Sequence, residues 1–202
     1  DLGRVQPGMT AGVYGCGPLG LLLVQLLRRA GVDVLVATDP LPHRVVAAEA
    51  LGATVAVETR RAGTEILPAT VAGGVDVAFE VAGEDDAIAT AIETLRPGGR
   101  LLLDVYHPGF VRANTGTTTA TRSEGCRSIS NVVSGDRLVS TITYVDGSTE
   151  TMDFELLDPG DLVERAGRWG LRLVEACCWW DRDRQPTAEE HRYQLVLELA
   201  GS

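Results

Sequence analysis

The sequence contains no lysine: all 18 basic residues of the 202-residue chain are arginines. This absence excludes a Schiff-base lysine and the phosphate-binding lysine of a Walker-type loop. The 28 acidic residues outnumber the arginines and give a net charge of -10. A chain with this charge repels a phosphate backbone on average, so we expect no nucleic-acid partner.

Cysteine, histidine and long apolar runs are also scarce. The four cysteines and three histidines show no C-x-x-C pair and no metal-ligand spacing, so we expect no metal site and a reduced, cytoplasmic compartment. The longest apolar run, residues 19–27, is interrupted by Gln25. It is far shorter than the roughly 18 residues of a membrane helix, and we expect no membrane span.

The first hundred residues alternate between strand and helix patterns. Repeated βα units predict a parallel sheet with right-handed crossovers, and therefore an α/β fold with a Rossmann-like, doubly wound sheet. The predicted strands cover 10–14, 32–38, 54–57, 75–81 and 100–105, and the predicted helices begin near residues 18, 42 and 84.

The second half of the chain changes character. Residues 108–135 are rich in Thr, Ser, Arg and Gly and predict a long loop. Asp146-Gly147 lies between two strand patterns and predicts a small inserted hairpin over about 136–156. The last two predicted strands, 171–180 and 191–199, have no helix between them, so the final strand should be antiparallel. We expect one Rossmann-like domain over 1–202, with halves 1–99 and 100–202.

A glycine-rich loop follows the first predicted strand. Gly15, Gly17 and Gly20 form G-x-G-x-x-G between a strand and a helix. In this motif Gly15 allows the tight turn, Gly17 allows a ligand phosphate or carboxylate to approach, and Gly20 allows close packing of helix and sheet. The helix N-terminus adds N–H donors. We therefore predict a cofactor-binding loop made of Gly15, Cys16, Gly17, Pro18, Leu19 and Gly20.

An acid stands where a ribose-binding residue is expected. Asp39 lies 19 residues after Gly20, at the end of the second predicted strand. A carboxylate there accepts hydrogen bonds from both ribose hydroxyls and repels a 2′-phosphate, so the pattern disfavours NADP. A solvated aspartate at a strand end is the alternative interpretation.

Residues 5–99 resemble the NAD-binding domain of medium-chain, zinc-type alcohol dehydrogenases. The resemblance rests on Val13-Tyr14-Gly15-Cys16-Gly17-Pro18-Leu19-Gly20, on Ala37-Thr38-Asp39-Pro40 and on the stretch from Val75 to Gly83. It implies that the glycine loop, Asp39, Val81 and Ala82 line a dinucleotide.

Residues 95–200 are similar to the C-terminal half of class I S-adenosylmethionine-dependent methyltransferases. This resemblance rests on Tyr106-His107-Pro108, on the phrase from Phe154 to Leu162 and on the strand from Arg192 to Glu198. It implies a small-molecule acceptor. His107 lies just after the fifth predicted strand, where open α/β sheets bind ligands, so it is a candidate general base, with a loop histidine as the alternative. Tyr106 is a candidate wall of the pocket, with packing in the core or at the rim as the alternative. Two positions differ from that family: Val13 replaces an acid, and Leu19 replaces a third glycine.

The two resemblances leave three functions open. The first is a methyltransferase that binds S-adenosylmethionine and methylates a small molecule. The second is an NAD-binding domain of the dehydrogenase type, either a fragment or non-catalytic. The third is an inactive hybrid of the two families, natural or engineered. Trp179 and Trp180 end a predicted strand, and an exposed ring there would mark a homodimer face; packing at the sheet edge is the alternative.

Overall fold

The computed structural model describes residues 3–59, 71, 73–118, 125–178, 181 and 183–201. A seven-stranded sheet forms the centre of the molecule. Across the sheet its strands are β10 (Leu171–Cys178), β11 (Arg192–Leu199), β5 (Leu95–Tyr106), β4 (Val75–Glu80), β1 (Thr10–Tyr14), β2 (Val34–Asp39) and β3 (Val55–Glu58).

The strand directions confirm the predicted Rossmann-like class with a reversed last strand. Strands β1 to β5 are parallel to one another, and β11 is antiparallel to both β5 and β10. Strand β10 therefore runs in the same direction as the parallel set. Because β11 is reversed, it begins at the edge of the sheet where β1, β4 and β5 end.

Helices cover both faces of the sheet. They are α1 (Pro18–Arg29), α2 (Pro42–Ala50), α3 (Asp85–Thr94), α4 (Pro108–Ala113) and α5 (Pro159–Gly167). Proline near the first position of four of them presets the helical φ and removes an N–H that has no intrahelical partner. Asp158 also caps α5, because its carboxylate accepts a hydrogen bond from the Gly160 N–H at 3.0 Å.

The core forms two layers because successive strand residues point to opposite faces. On β2, Val36 belongs to the buried cluster on the face covered by α3 and α5, whereas Leu35 and Ala37 belong to the cluster on the face covered by α1 and α2. All three are fully buried. Both faces of the sheet are apolar, as expected for a parallel sheet covered by helices on both sides.

A second, antiparallel sheet lies in the region that the sequence predicts as a loop and a hairpin. Its strands, in order, are β6 (Gly116–Thr118), β7 (Cys126–Ser134), β8 (Arg137–Tyr144) and β9 (Thr149–Glu155), and we call it the cap sheet. The turn at Asp146-Gly147 is present, and Gly147 has a φ of +87°.

The prediction of a long loop over 108–135 is wrong. The segment contains α4, β6 and β7, although residues 119–124 lie outside the described part. Strand β7 has a period-two pattern on one face through Ile129, Asn131 and Val133, but its many serines and its arginine hide that pattern. The polar residues are tolerated because the cap sheet buries one face only.

Among the described residues, no helix is long and apolar enough to cross a bilayer.

Candidate functional site

The glycine loop is held between the ends of β2 and β4. The N–H of Gly15 donates to the Thr38 carbonyl at 2.9 Å, and the N–H of Val81 donates to the Tyr14 carbonyl at 3.0 Å. Gly15 has a φ of +106°, and a Cβ at this position would lie 2.8 Å from the Ala82 nitrogen. The loop and the turn after β4 therefore approach each other more closely than any residue but glycine allows.

The start of α1 is open on the side where a ligand would approach. Gly17 is the N-cap and supplies no side-chain cap, and a Cβ added there would meet no atom within 4 Å. The N–H groups of the first turn therefore remain available to an anion. Gly20 has no such freedom, because a Cβ would overlap the Gly15 carbonyl oxygen.

Asp39, the predicted ribose-binding residue, anchors the glycine loop. The carboxylate is only 3% exposed. It accepts hydrogen bonds from the N–H of Cys16 at 2.8 Å and of Leu41 at 2.9 Å, and the Arg44 guanidinium lies 3.5 Å away. A carboxylate has about four acceptor sites, so capacity remains for a diol. The anchoring role is a feature that the sequence analysis does not predict.

Cys16 carries the one thiol within the predicted loop. Burial, and then the nearby Asp39 carboxylate, raise the pKa of Cys16 to about 12. The thiolate is the nucleophilic form of cysteine, so a thiol with this pKa is inert near neutral pH. Cys16 therefore takes part in the loop through its backbone.

A cavity of about 350 Å³ lies where β4 and β5 end, and we call it the edge cavity. The glycine loop contributes Leu19, whose side chain is 49% exposed. The turn after β4 contributes Val81 and Ala82, so the predicted residues Leu19, Val81 and Ala82 do lie together. Further walls come from the ends of β4 and β5, the start of β11 and the cap sheet, and they include Glu80, Asp104, Tyr106, Met152, Phe154, Glu155 and Arg192.

Glu80 is a buried acid in the wall of the edge cavity. Its Oε1 accepts hydrogen bonds from the N–H groups of Ala82 and Gly83, both at 2.7 Å. Burial raises the pKa of Glu80, against the lowering effect of these backbone N–H groups. The sequence analysis does not single out this residue.

Asp104 and Arg192 form an ion pair across β5 and β11. The Arg192 Nε lies 3.2 Å from one carboxylate oxygen, and the Gln194 amide donates to the other at 2.7 Å. The Arg192 guanidinium carbon also lies 4.5 Å from the centre of the Tyr106 ring. This cation–π contact fixes the tyrosine ring at the cavity wall.

A second cavity, of about 250 Å³, lies between the cap sheet and α4, and we call it the cap cavity. Its polar lining residues are Asn114, Asn131, Ser140 and His191. Aromatic and aliphatic side chains form the rest of the wall. Tyr106, Met152 and Phe154 line both cavities and so form the partition between them.

His191 lies at this partition. Its ring centroid is 5.2 Å from that of Tyr106 and 5.1 Å from that of Phe110. Burial, and then the Arg192 charge, lower the pKa of His191, with Asp104 opposing them. The imidazole is therefore neutral near pH 7. The sequence analysis does not single out His191. The signal that would have identified it is its place just before a reversed last strand, which begins at the ligand edge.

His107 lies away from both cavities. It is the N-cap of α4, where its Nδ1 accepts a hydrogen bond from the Gly109 N–H at 3.2 Å. Its ring packs edge-on against Tyr193, with centroids 5.7 Å apart. Burial lowers its pKa, with Asp158 opposing that change. Within the described residues, His107 is not part of either cavity wall. These contacts favour a structural role, and the predicted general-base role stays a prediction.

Two further predictions concern a metal and a dimer. No group of three or more His, Cys, Asp or Glu side chains in the described residues is arranged to bind a metal ion. Trp179 and Trp180 lie outside the described residues, so the homodimer stays a prediction.

In sequence, the front half of the chain matches dehydrogenases. A family model described as zinc-binding dehydrogenase matches residues 18–103. Sorbitol dehydrogenase of Bacillus subtilis (strain 168) is 38% identical over 102 residues, which cover 50% of this chain and 29% of that protein. The chain thus spans about 30% of the length of the first curated relatives it matches.

In structure, the whole chain matches methyltransferases. An S-adenosylmethionine-dependent methyltransferase from Clostridium acetobutylicum ATCC 824 superposes with a TM-score of 0.70 at 14% identity, over 95% of this chain and 84% of that one. The CcbJ methyltransferase from Streptomyces caelestis gives 0.67 at 19% identity, over 98% and 85%. At these identities the likeness shows the fold. The predicted double resemblance is confirmed: a dehydrogenase-like front sequence lies within a methyltransferase-like fold.

Proposed function

We propose that the protein is an S-adenosylmethionine-dependent methyltransferase that acts on a small molecule. The observation that carries the proposal is the cap cavity, which adjoins the edge cavity through the shared wall of Tyr106, Met152 and Phe154. A single domain therefore offers one chamber for a methyl donor and a second for its acceptor. This arrangement needs no separate substrate domain.

The glycine loop and Asp39 fit the donor. The open side of Gly17 and the uncapped start of α1 suit a carboxylate, and the remaining acceptor capacity of Asp39 suits a ribose diol. The residues that would hold S-adenosylmethionine are Gly15, Cys16, Gly17, Pro18, Leu19, Gly20, Asp39, Val81 and Ala82. When bound, this cofactor supplies a methyl group on a positively charged sulfur and leaves as S-adenosylhomocysteine.

The cap cavity selects an uncharged acceptor. No Asp, Glu or Arg is among the described residues that line it, and its polar groups are amides, a hydroxyl and an imidazole. Burying an unpaired charge there costs much more than burying a hydroxyl with a hydrogen-bond partner. We therefore propose a small, mainly apolar acceptor that carries a hydroxyl group.

His191 and Tyr106 take different roles at the partition. The neutral His191 imidazole accepts the proton that the acceptor hydroxyl loses as its oxygen is methylated. Tyr106, held by Arg192, shapes the wall and orients the two ligands toward each other.

Calorimetric titration with S-adenosylhomocysteine and, in parallel, with NAD tests the proposed function. We expect the first ligand alone to bind. Gly17→Asp serves as the matched variant: aspartate is a good N-cap and keeps α1 intact, but its charge opposes an anionic group at the same N–H donors. We expect this variant to fold with an unchanged Tm and to lose binding.

An NAD-binding domain is the second candidate function. It is supported by the sequence match over 18–103 and by the dehydrogenase-like Val13 and Leu19. Binding of NAD alone in the same titration would overturn the methyltransferase proposal in its favour. Binding of neither ligand would favour the inactive hybrid.

A further inference from the structure

We infer that Glu80 receives the ammonium group of an amino-acid-bearing ligand in the edge cavity. The inference rests on the proposed function, because S-adenosylmethionine and S-adenosylhomocysteine both end in an α-amino acid. It names the part of the site that distinguishes such a ligand from other adenosine compounds.

Glu80 lies next to the glycine loop. It is the last residue of β4 and pairs in register with Tyr14, the residue just before Gly15. The residue is 7% exposed and lines the edge cavity. The two 2.7 Å hydrogen bonds go to Oε1, and the Glu84 backbone also donates to this carboxylate. A carboxylate has about four acceptor sites, so capacity remains for one ligand donor.

Two other acids in the same wall have a cation or an amide beside them. Asp104 is held by Arg192 and Gln194, and Glu155 pairs with Arg165 at 2.9 Å. In the described part of the chain no arginine pairs with Glu80. A buried carboxylate without a cation retains much of its desolvation cost, and a bound ammonium group would offset it.

The opposite pole of the same site is the start of α1. Its N–H groups suit the carboxylate of an α-amino acid, and the loop that carries them touches the turn after Glu80 at Gly15 and Ala82. An anion site at the start of α1 and an ammonium site at Glu80 together suit the two charges of one zwitterion. Val13, at the neighbouring position on β1, is fully buried and has no charge to contribute.

The test compares two ligands that differ in the amino-acid half. S-adenosylhomocysteine contains the amino-acid half. 5′-Methylthioadenosine has the adenosine and the sulfur but no amino-acid half. Calorimetric affinities of both are measured for the wild type, Glu80→Gln and Glu155→Gln. Glutamine keeps an oxygen that accepts from Ala82 and Gly83, so the turn should persist.

We expect Glu80→Gln to weaken the binding of S-adenosylhomocysteine by about tenfold or more, because a hydrogen bond to a charged group is lost. The affinity for 5′-methylthioadenosine should stay within about twofold. Glu155→Gln should change neither affinity, because Glu155 already pairs with Arg165 on α5.

The outcomes separate the two proposals. If the wild type binds S-adenosylhomocysteine and Glu80→Gln binds it equally well, the assignment of Glu80 is overturned and the proposed function stands. If Glu80→Gln lowers the affinities for both ligands alike, Glu80 only supports the turn and the assignment is again overturned. If the wild type does not bind S-adenosylhomocysteine, the proposed function fails together with this inference.

Discussion

The His191 and Tyr106 rings lie at an angle of 62° with their centroids 5.2 Å apart, at the partition between the edge cavity and the cap cavity. The two residues come from different strands, since Tyr106 ends β5 and His191 immediately precedes β11. They meet because β11 is antiparallel to β5, with Arg192 opposite Tyr106 in the register. The reversed strand thus brings a proton acceptor to the edge where the parallel strands end.

Replacing His191 by Gln should remove the proton acceptor and leave donor binding intact. We expect the rate of methyl transfer to fall by about 100-fold or more, a typical contribution of a general base. The affinity for S-adenosylhomocysteine should change by less than about twofold. Because the pKa of His191 is lowered, the wild-type rate should persist to a more acidic pH than an ordinary histidine allows, and fall below that point as the ring gains a proton. Single-turnover rates against pH check both statements.

His107 provides the matched comparison for that experiment. Asparagine is a good N-cap, so His107→Asn should keep α4 and retain nearly the full rate. A loss as large as that of His191→Gln would instead identify His107 as the base and contradict the role of His191.

The cap role of His107 has its own consequence for stability. His107→Ala removes the acceptor for the Gly109 N–H and part of the packing against Tyr193. We expect the free energy of unfolding to fall by about 1–2 kcal/mol, measured by urea denaturation. His107→Asn should lower the free energy of unfolding by less than His107→Ala does. An equal decrease would mean that the ring packing, and not the cap, stabilises this helix end.

The parallel half of the fold follows from the sequence because its signals are local. Glycine or proline separates its elements, and its buried strands are nearly continuous apolar runs; the predicted strand over 10–14 coincides with β1. The glycine loop and Asp39 are also predicted from local sequence patterns. The hydrogen bond by which Asp39 anchors Cys16 is not predicted, because it joins residues 23 positions apart and leaves no local pattern.

The cap sheet and the second half of the site depend on contacts that are distant in sequence. Strand β7 carries Ser128, Ser130 and Ser134, and its backbone groups pair with β8, which lies later in the chain. The partner of Tyr106 lies 85 positions away, at His191. Composition does not distinguish that histidine from His107, whereas the reversed direction of β11 does.

Asp39→Ala tests the anchoring of the glycine loop. The substitution leaves the N–H groups of Cys16 and Leu41 without their acceptor, in a buried position. An unsatisfied buried group costs about 1–3 kcal/mol, and we expect a loss of stability of at least that size in urea denaturation. Asp136→Ala, which breaks an exposed ion pair with Arg112, should cost less than about 1 kcal/mol. Equal losses in the two variants would contradict an anchoring role for Asp39.

Glu80→Gln should stabilise the empty protein near pH 7. Burial raises the pKa of Glu80 in the folded state above the ordinary pKa of a glutamate. At a pH between these two values, the folded state binds more protons than the unfolded state. Stability then falls as the pH rises through this window, and ionised Glu80 costs stability at neutral pH, whereas glutamine does not. We expect the variant to have the higher Tm at pH 7, by about 2 °C or more, with the difference disappearing below about pH 4, where the carboxyl is protonated in both states. Thermal melts from pH 3.5 to 8 check the sign. A Tm advantage that is independent of pH would mean that the charge of Glu80 is not its source.

Saturating S-adenosylhomocysteine should reverse the order of the two Tm values at pH 7. The reason is that its ammonium group stabilises ionised Glu80, which only the wild type has.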